Sequence, residues 1–186
     1  ESSFTCKQEG PLKEYVGSKI DLSRNESGLG KVKFTQPVLV QKVQDEFDLT
    51  GGRIPKTPAA PGQELIKSND GNNLHGQQVT VYRSSTAICM FIMQWSRPDI
   101  YNVPRALSIH ISAPMTLHKE AIRRLMKYVV ATRNGGLILS PDAIWDGNRD
   151  FNFIIHGQSD SNYATNPDDR RSVSGGQVFL NGAPIT

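Results

Sequence analysis

Gly157-Gln158-Ser159-Asp160-Ser161-Asn162-Tyr163-Ala164, continued by Asp168-Asp169-Arg170-Arg171-Ser172-Val173-Ser174-Gly175, decides how the 186-residue chain is read. It places one acid, Asp160, at the end of an expected strand over 151–155. Only ten residues follow Gly176, with no Asp or Glu among them. Chemistry on a pair of metal ions needs several acids converging on ions roughly 3.5–4 Å apart. One carboxylate does not meet that need, so the chain reads as a piece of a larger enzyme.

Working outward, residues 137–139 and 178–180 also read as strands, and Asn181-Gly182 is a strong two-residue hairpin turn before Ala183-Pro184-Ile185. Upstream, residues 114–134 carry the clearest helix, with Ser112 as N-cap and Gly135-Gly136 as the stop. At ~100° per residue Leu117, Ala121, Ile122, Leu125 and Val129 share one face. Lys119, Arg123 and Lys127 line the opposite one, with Arg124 at its edge. His118 falls towards the apolar side and reads as a core histidine.

Residues 78–95 form a largely apolar run long enough to prefer a buried helix. Arg97-Pro98-Asp99 stops it, and residues 99–111 look helical, with Pro104 expected to kink or shorten the element. Residues 53–76, with Pro55, Pro58 and Pro61 and then Ser68-Asn69-Asp70-Gly71-Asn72-Asn73, supply turn dihedrals and little to bury. Leu39, Val40, Val43 and Phe47 recur at helical spacing from Pro37 to about residue 49. Residues 15–22 and 31–35 read as two strands of a hairpin. Gly17 inside the first is unusual, since glycine weakens a strand unless another backbone or a ligand approaches closely. The fold class is α+β, and there is no internal repeat.

Net charge is only +3, but it is unevenly placed. Arg97, Arg105, Lys119, Arg123, Arg124, Lys127 and Arg133 face only Asp99 and Glu120 over 97–133. Six Asp and one basic residue, Arg149, occupy 142–169. A basic half gripping phosphate beside an acidic half attracting metal ions suits a nucleic-acid enzyme. Two ordinary solvated faces are the plain alternative.

Cys6 and Cys89 lie far apart and imply neither a disulfide framework nor a zinc site, so a reducing compartment fits best. No stretch approaches the ~20 apolar residues of a membrane span, and no secretory leader is visible. Asn25-Glu26-Ser27 matches a glycosylation acceptor, which without a leader reads as a chance match. His75, His110 and His156 lack metal-ligand spacing, and no phosphate loop, G-x-S-x-G elbow or Cys/His pairing is present. Asp160 suits a hard divalent cation such as magnesium, yet Ser159-Asp160-Ser161-Asn162 is also an ordinary turn composition. The basic stripe fits a phosphate backbone, and equally a solvated helix face.

Taken in order, these segments resemble the reverse transcriptase and ribonuclease H portion of the Pol polyprotein of copia-type long-terminal-repeat retrotransposons. Gly10-Pro11-Leu12-Lys13-Glu14-Tyr15-Val16-Gly17 is similar to the family's G-x-L-x-x-F-L-G run, and Thr35-Gln36 to its S-Q-x-x-Y-I. Residues 55–59 resemble the x-T-P linker. Tyr82-Arg83-Ser84 matches Y-R-S/Q, and Arg97-Pro98-Asp99-Ile100 matches T-R-P-D-I. His118, Ala121, Arg124 and Leu125 fall on H-x-x-A-x-x-R-x-L, with Tyr128 and Thr132 on the family's Tyr and Thr. Residues 157–186 resemble G-Y-S-D-A-D-W-A-G-D-x-D-D-R-R-S-T-S-G-Y and then L-G-G-A-x-I-S. The departures are Gln158, Asn162, Tyr163 and Gly176, together with Pro104 in a helix that the family leaves uninterrupted.

The resemblance implies a palm end with a primer-grip hairpin over 1–36, a helical thumb and connector over 37–136, and the first antiparallel strands of a ribonuclease H-like sheet over 137–186. It implies nucleic-acid contacts at Tyr15, Gly17, Lys119, Arg123, Arg124 and Lys127, and makes Asp160 the first metal-binding, catalytic acid of the ribonuclease H site. The intact family protein copies RNA into DNA and hydrolyses the RNA strand of the hybrid with Mg2+. Its Y-x-D-D motif would lie before Glu1 and its remaining ribonuclease H acids after Thr186, leaving this segment inactive alone. The partners implied are primer-template, RNA/DNA hybrid and the rest of the polyprotein, with no membrane. The implied location is cytoplasmic, in virus-like particles, or nuclear. A non-catalytic nucleic-acid-binding remnant of a decayed or domesticated element is the alternative, and a degenerate product without a partner is a third.

Overall fold

The computed structural model describes residues 10, 12–67, 72–164 and 170–185. Cys6, Pro11, the turn residues 68–71 and the Asp168-Asp169 pair lie outside the described residues. The chain is α+β, as its sequence predicts, with two antiparallel sheets and a helical layer.

The first sheet has the order β1-β2-β3-β4, from Glu14–Tyr15, Ser18–Arg24, Gly30–Thr35 and Leu137–Leu139. The expected strand over 15–22 is in fact two strands joined by a tight turn. Val16 and Gly17 have φ of 48° and 71°, the left-handed pair that closes a two-residue hairpin. Tyr15 pairs with Ser18. Gly17 therefore serves a turn and not a strand interior, and the alternating apolar pattern running through the turn hid the break. The β2–β3 hairpin forms as predicted, with Ile20 opposite Phe34 and Leu22 opposite Val32. Asn25 closes its turn, its Oδ1 accepting from the Leu29 amide at 2.8 Å.

Leu137–Leu139, grouped by sequence with the C-terminal strands, pairs instead with β3, Phe34 opposite Leu137. The reason is steric: a Cβ on Gly136 would run into the Phe34 carbonyl oxygen and the Thr35 side chain. Only glycine lets the chain leave the helical layer this close to the sheet.

Among the described residues four α-helices build the core: α1 (Pro37–Glu46), α2 (Gln77–Trp95), α3 (Asn102–Ser108) and α4 (Thr116–Ala131). Val43, Cys89, Ile92, Ile100, Leu107, Leu125 and Val129 are fully buried between them. Pro37 opens α1 where its missing N–H is not needed. α1 ends at Glu46, three residues before the sequence expectation. The expected helix over 99–111 is split into a 3-10 turn, Pro98–Ile100, and α3. Pro104 sits in the first turn of α3, where it breaks no helical hydrogen bond. α4 starts at Thr116 with Met115, not Ser112, as its cap. Residues 114–116 are held extended by Leu74 N–H donating to Pro114 O and Thr116 N–H to Asn72 O. His118 Nδ1 then accepts the Met115 amide at 3.1 Å. His118 is fully buried, in line with its reading as a core histidine.

The second sheet, β5-β6-β7, comprises Ile155–Asn162, Val173–Leu180 and Ala183–Pro184. The strand expected over 151–155 starts where that reading ended. Asn181-Gly182 makes the predicted turn, with φ of 47° and 80°. β5 is exposed along its whole length.

Candidate nucleic-acid interface

The site residues fall on three separate parts of the fold. Tyr15 and Gly17 form the exposed tip of the first hairpin, and a Cβ built on Gly17 meets nothing within 4 Å. The tip is anchored by Tyr15, whose ring lies edge-on to Trp95 of α2 with 6.1 Å between centroids. Phe91 continues that aromatic row at 6.2 Å from Trp95.

The basic residues of α4 do share the side away from Leu125 and Val129, but the stripe is not a free surface. Lys119 is exposed, whereas Arg123, Arg124 and Lys127 are half-buried. Arg123 Nε donates to Asp48 O at 3.1 Å and its Nη2 to Thr50 O. Lys127 Nζ donates to Gly51 O. Arg124 Nη2 donates to Thr57 Oγ1 at 3.0 Å and to Thr57 O at 3.3 Å. Every acceptor is neutral. Segment 48–57 is thus strapped onto α4, aided by the left-handed Gly51 and Gly52, both at φ 70°. Asp48 closes the strap: hydrogen bonds from the Thr50 hydroxyl and amide hold its carboxyl below the usual range, with help from Arg123 and Lys127.

Sequence reasoning missed Arg53. It lines a cavity of about 180 Å3 with Pro55, Glu120, Arg123, Arg124 and Lys127. The Pro- and Gly-rich composition around it speaks only of a loop, and convergence with α4 across some 70 positions has no local signal.

Asp160 is the sixth of the eight residues of β5, not its terminus. It pairs with Gly175 and Gln158 with Gln177, so His156, Gln158, Asp160 and Asn162 share one face of the sheet. Gly175 offers no side chain to cover the carboxylate, and all four β5 residues are exposed. Among the described residues no group of three or more His, Cys, Asp or Glu is gathered as metal ligands. Asp160 fits a hard cation as one oxygen ligand and does not by itself make a metal site. A carboxylate at 162 would stand about 7 Å further along the same face, and Asn162 supplies a neutral amide there.

Arg97 ties the end of α2 to the C-terminus of α4. The residue is 4% exposed, and its guanidinium forks onto the Asp99 carboxylate, reaches Thr132 and lies 5.5 Å over the Tyr128 ring. Burial works against the Arg97 charge, but Asp99 overrides it and raises the pKa. Burial likewise works to raise the Asp99 carboxyl, and its hydrogen bonds with Arg97 pull it below the usual value.

No protein-family model matches the chain, and no solved structure matches it. Among curated proteins it is similar to the putative transposon Ty5-1 protein YCL074W of Saccharomyces cerevisiae, at 22% identity over 98% of the chain and 54% of that protein. It is 30% identical over 70% of its length to the retrovirus-related Pol polyprotein from transposon RE1 of Arabidopsis thaliana, of which it spans 8%. A protein of Plasmopara viticola named secreted RxLR effector protein 161 is 30% identical over 56% of the chain and 68% of its own length. The homologues named for transposons make the chain a relative of retrotransposon Pol polyproteins. It spans about half the length of the first of these and under a tenth of the second. No helix among the described residues is long and apolar enough to cross a membrane.

Proposed function

We propose that the chain is the reverse transcriptase and ribonuclease H segment of a copia-type retrotransposon Pol polyprotein. The hairpin tip at Tyr15 and Gly17 would meet the primer strand, and the basic side of α4 the primer-template backbone. Asp160 would be the first acid of the ribonuclease H site. The observation that carries this reading is collinearity: similarity to transposon proteins runs over 98% of the chain, in the order hairpin, helical layer, second sheet. The tight turn at Gly17 supports it, because it leaves a backbone loop with nothing above it. The open face around Asp160 supports it too, presenting an uncovered carboxylate to whatever strand or helix adds further acids.

Mg2+ would supply Lewis acidity in both reactions, activating the primer 3′-hydroxyl in synthesis and a water in RNA hydrolysis, and Asp160 would offer one oxygen to the metal of the hydrolytic site. This chain's own residues position nucleic acid. Lys119 attracts phosphate, the strap 48–57 fixes the height of the adjoining surface, and the Tyr15–Trp95 contact sets the hairpin tip against α2.

The test is template-directed synthesis. The chain is produced in frame with the polypeptide encoded on either side of it, and incorporation of deoxynucleotides on a primed RNA template is measured with and without magnesium. Magnesium-dependent product that resists Asp160→Asn, together with RNA degradation that does not, is expected. Reading frames on both sides that encode no further acids of either site would contradict the assignment.

A further inference from the structure

We propose that the cavity between Arg53 and α4 binds a single phosphate group, an inference that rests on the nucleic-acid reading only for the source of that phosphate. Four cations from two distant segments converge on it, Arg53, Arg123, Arg124 and Lys127, against one lining carboxylate, Glu120. None of the four forms a salt bridge within the described residues. Asp48, the other nearby acid, is hydrogen-bonded by Thr50 and feels Arg123 and Lys127 only through space. The hydrogen bonds that Arg123, Arg124 and Lys127 make go to main-chain carbonyls and the Thr57 hydroxyl, so four positive charges stand against Glu120 and the more distant influence of Asp48.

The Arg124 Nε–H is buried and has no acceptor among the described residues. A buried donor left unpaired is costly, and a phosphate oxygen that reached Arg124 would satisfy it. Guanidinium groups favour phosphate because their planar fork can present two parallel N–H donors to it. At about 180 Å3 the cavity exceeds the ~30 Å3 share of one water and accommodates a tetrahedral anion with some of its hydration. A phosphate would add the attraction of its own negative charge to donors that now meet only neutral carbonyls and a hydroxyl.

Arg53 is the residue to change, because it is exposed and makes no hydrogen bond among the described residues, whereas altering Arg123, Arg124 or Lys127 would loosen the strap. Inorganic phosphate is titrated into the 186-residue chain by calorimetry, and a short RNA/DNA hybrid is then added in competition. Saturable phosphate binding is expected, about tenfold weaker in Arg53→Glu and restored in Arg53→Lys, a tenfold step corresponding to about 1.4 kcal/mol. Unchanged far-ultraviolet dichroism shows that the fold is kept. Displacement of phosphate by the hybrid assigns the site to a nucleic-acid backbone. Phosphate binding lost in Arg53→Glu without such displacement keeps the site, assigns it to a free phosphoryl ligand and removes α4 from the nucleic-acid reading. Hybrid binding without phosphate binding, and indifferent to Arg53→Glu, overturns the site and leaves the nucleic-acid reading standing. Binding of neither overturns it as well.

Discussion

Arg97 and Asp99 form a forked ion pair in which Nε and Nη2 donate to the two carboxylate oxygens at 2.8 and 2.7 Å. The pair is lopsided in its exposure, with 5% of the Arg97 side chain and 46% of the Asp99 side chain open to solvent. Arg97 also donates to Thr132 O and Oγ1. It therefore caps α4 from outside and fixes where the chain turns towards β4.

Replacing Arg97 with Met should destabilise the protein by about 2–3 kcal/mol, below the range for fully buried pairs because Asp99 is half in water. Urea denaturation at pH 7 measures this. Arg97→Lys should recover little, since an ammonium cannot fork.

The same pair sets an acid dependence. The folded Asp99 pKa lies below its ordinary 3.8, so its stabilisation is complete above that value and is lost as pH falls through the lower, folded value. Thermal scans should show stability declining below about pH 4, and Asp99→Asn should flatten that part of the profile. An unchanged slope in the variant would show that other carboxylates control it.

Asn181 staples the second sheet to segment 142–154. Its amide and Oδ1 engage Ile154 O and N, each at 2.8 Å, its carbonyl accepts from Asp142 N, and its Nδ2 reaches Ala143 O. It also adopts φ 47°. Asn181→Gly keeps the backbone and loses the amide, and should cost about 1–2 kcal/mol. Asn181→Ala adds left-handed strain of about 1 kcal/mol. Hydrogen exchange at the Ile154 amide should accelerate in both.

Cys89 is fully buried, and burial pushes its thiol up to about 12. A thiol-specific disulfide reagent should leave it unmodified in the native protein at pH 8 and react in denaturant. Rapid native labelling would mean that the α2 packing opens readily.

Much of this architecture was legible because period speaks locally. The apolar run of α2, the two-faced α4 and the Asn181-Gly182 turn each sit in a window where one spacing dominates. What escaped depends on residues far apart. The alternation through Tyr15 and Ile20 masked the turn at Val16-Gly17. Leu137–Leu139 joins β3 because of space around Gly136, which sequence does not display. The stripe of Lys119, Arg123 and Lys127 was found, but its occupation by carbonyls of 48–57 depends on a loop whose composition says only that it turns. Asp160, expected at a strand end, lies within β5 instead, because that strand is too polar to read as one.

The central claim is that this chain grips nucleic acid, and Lys119, exposed and uninvolved in the strap, isolates it. Fluorescence anisotropy with a labelled RNA/DNA hybrid across a salt series should give affinity falling with salt, with the slope shallower by about 1 in Lys119→Ala and unchanged in Asp160→Asn. No binding at low salt, or binding that ignores salt and Lys119 alike, would contradict it.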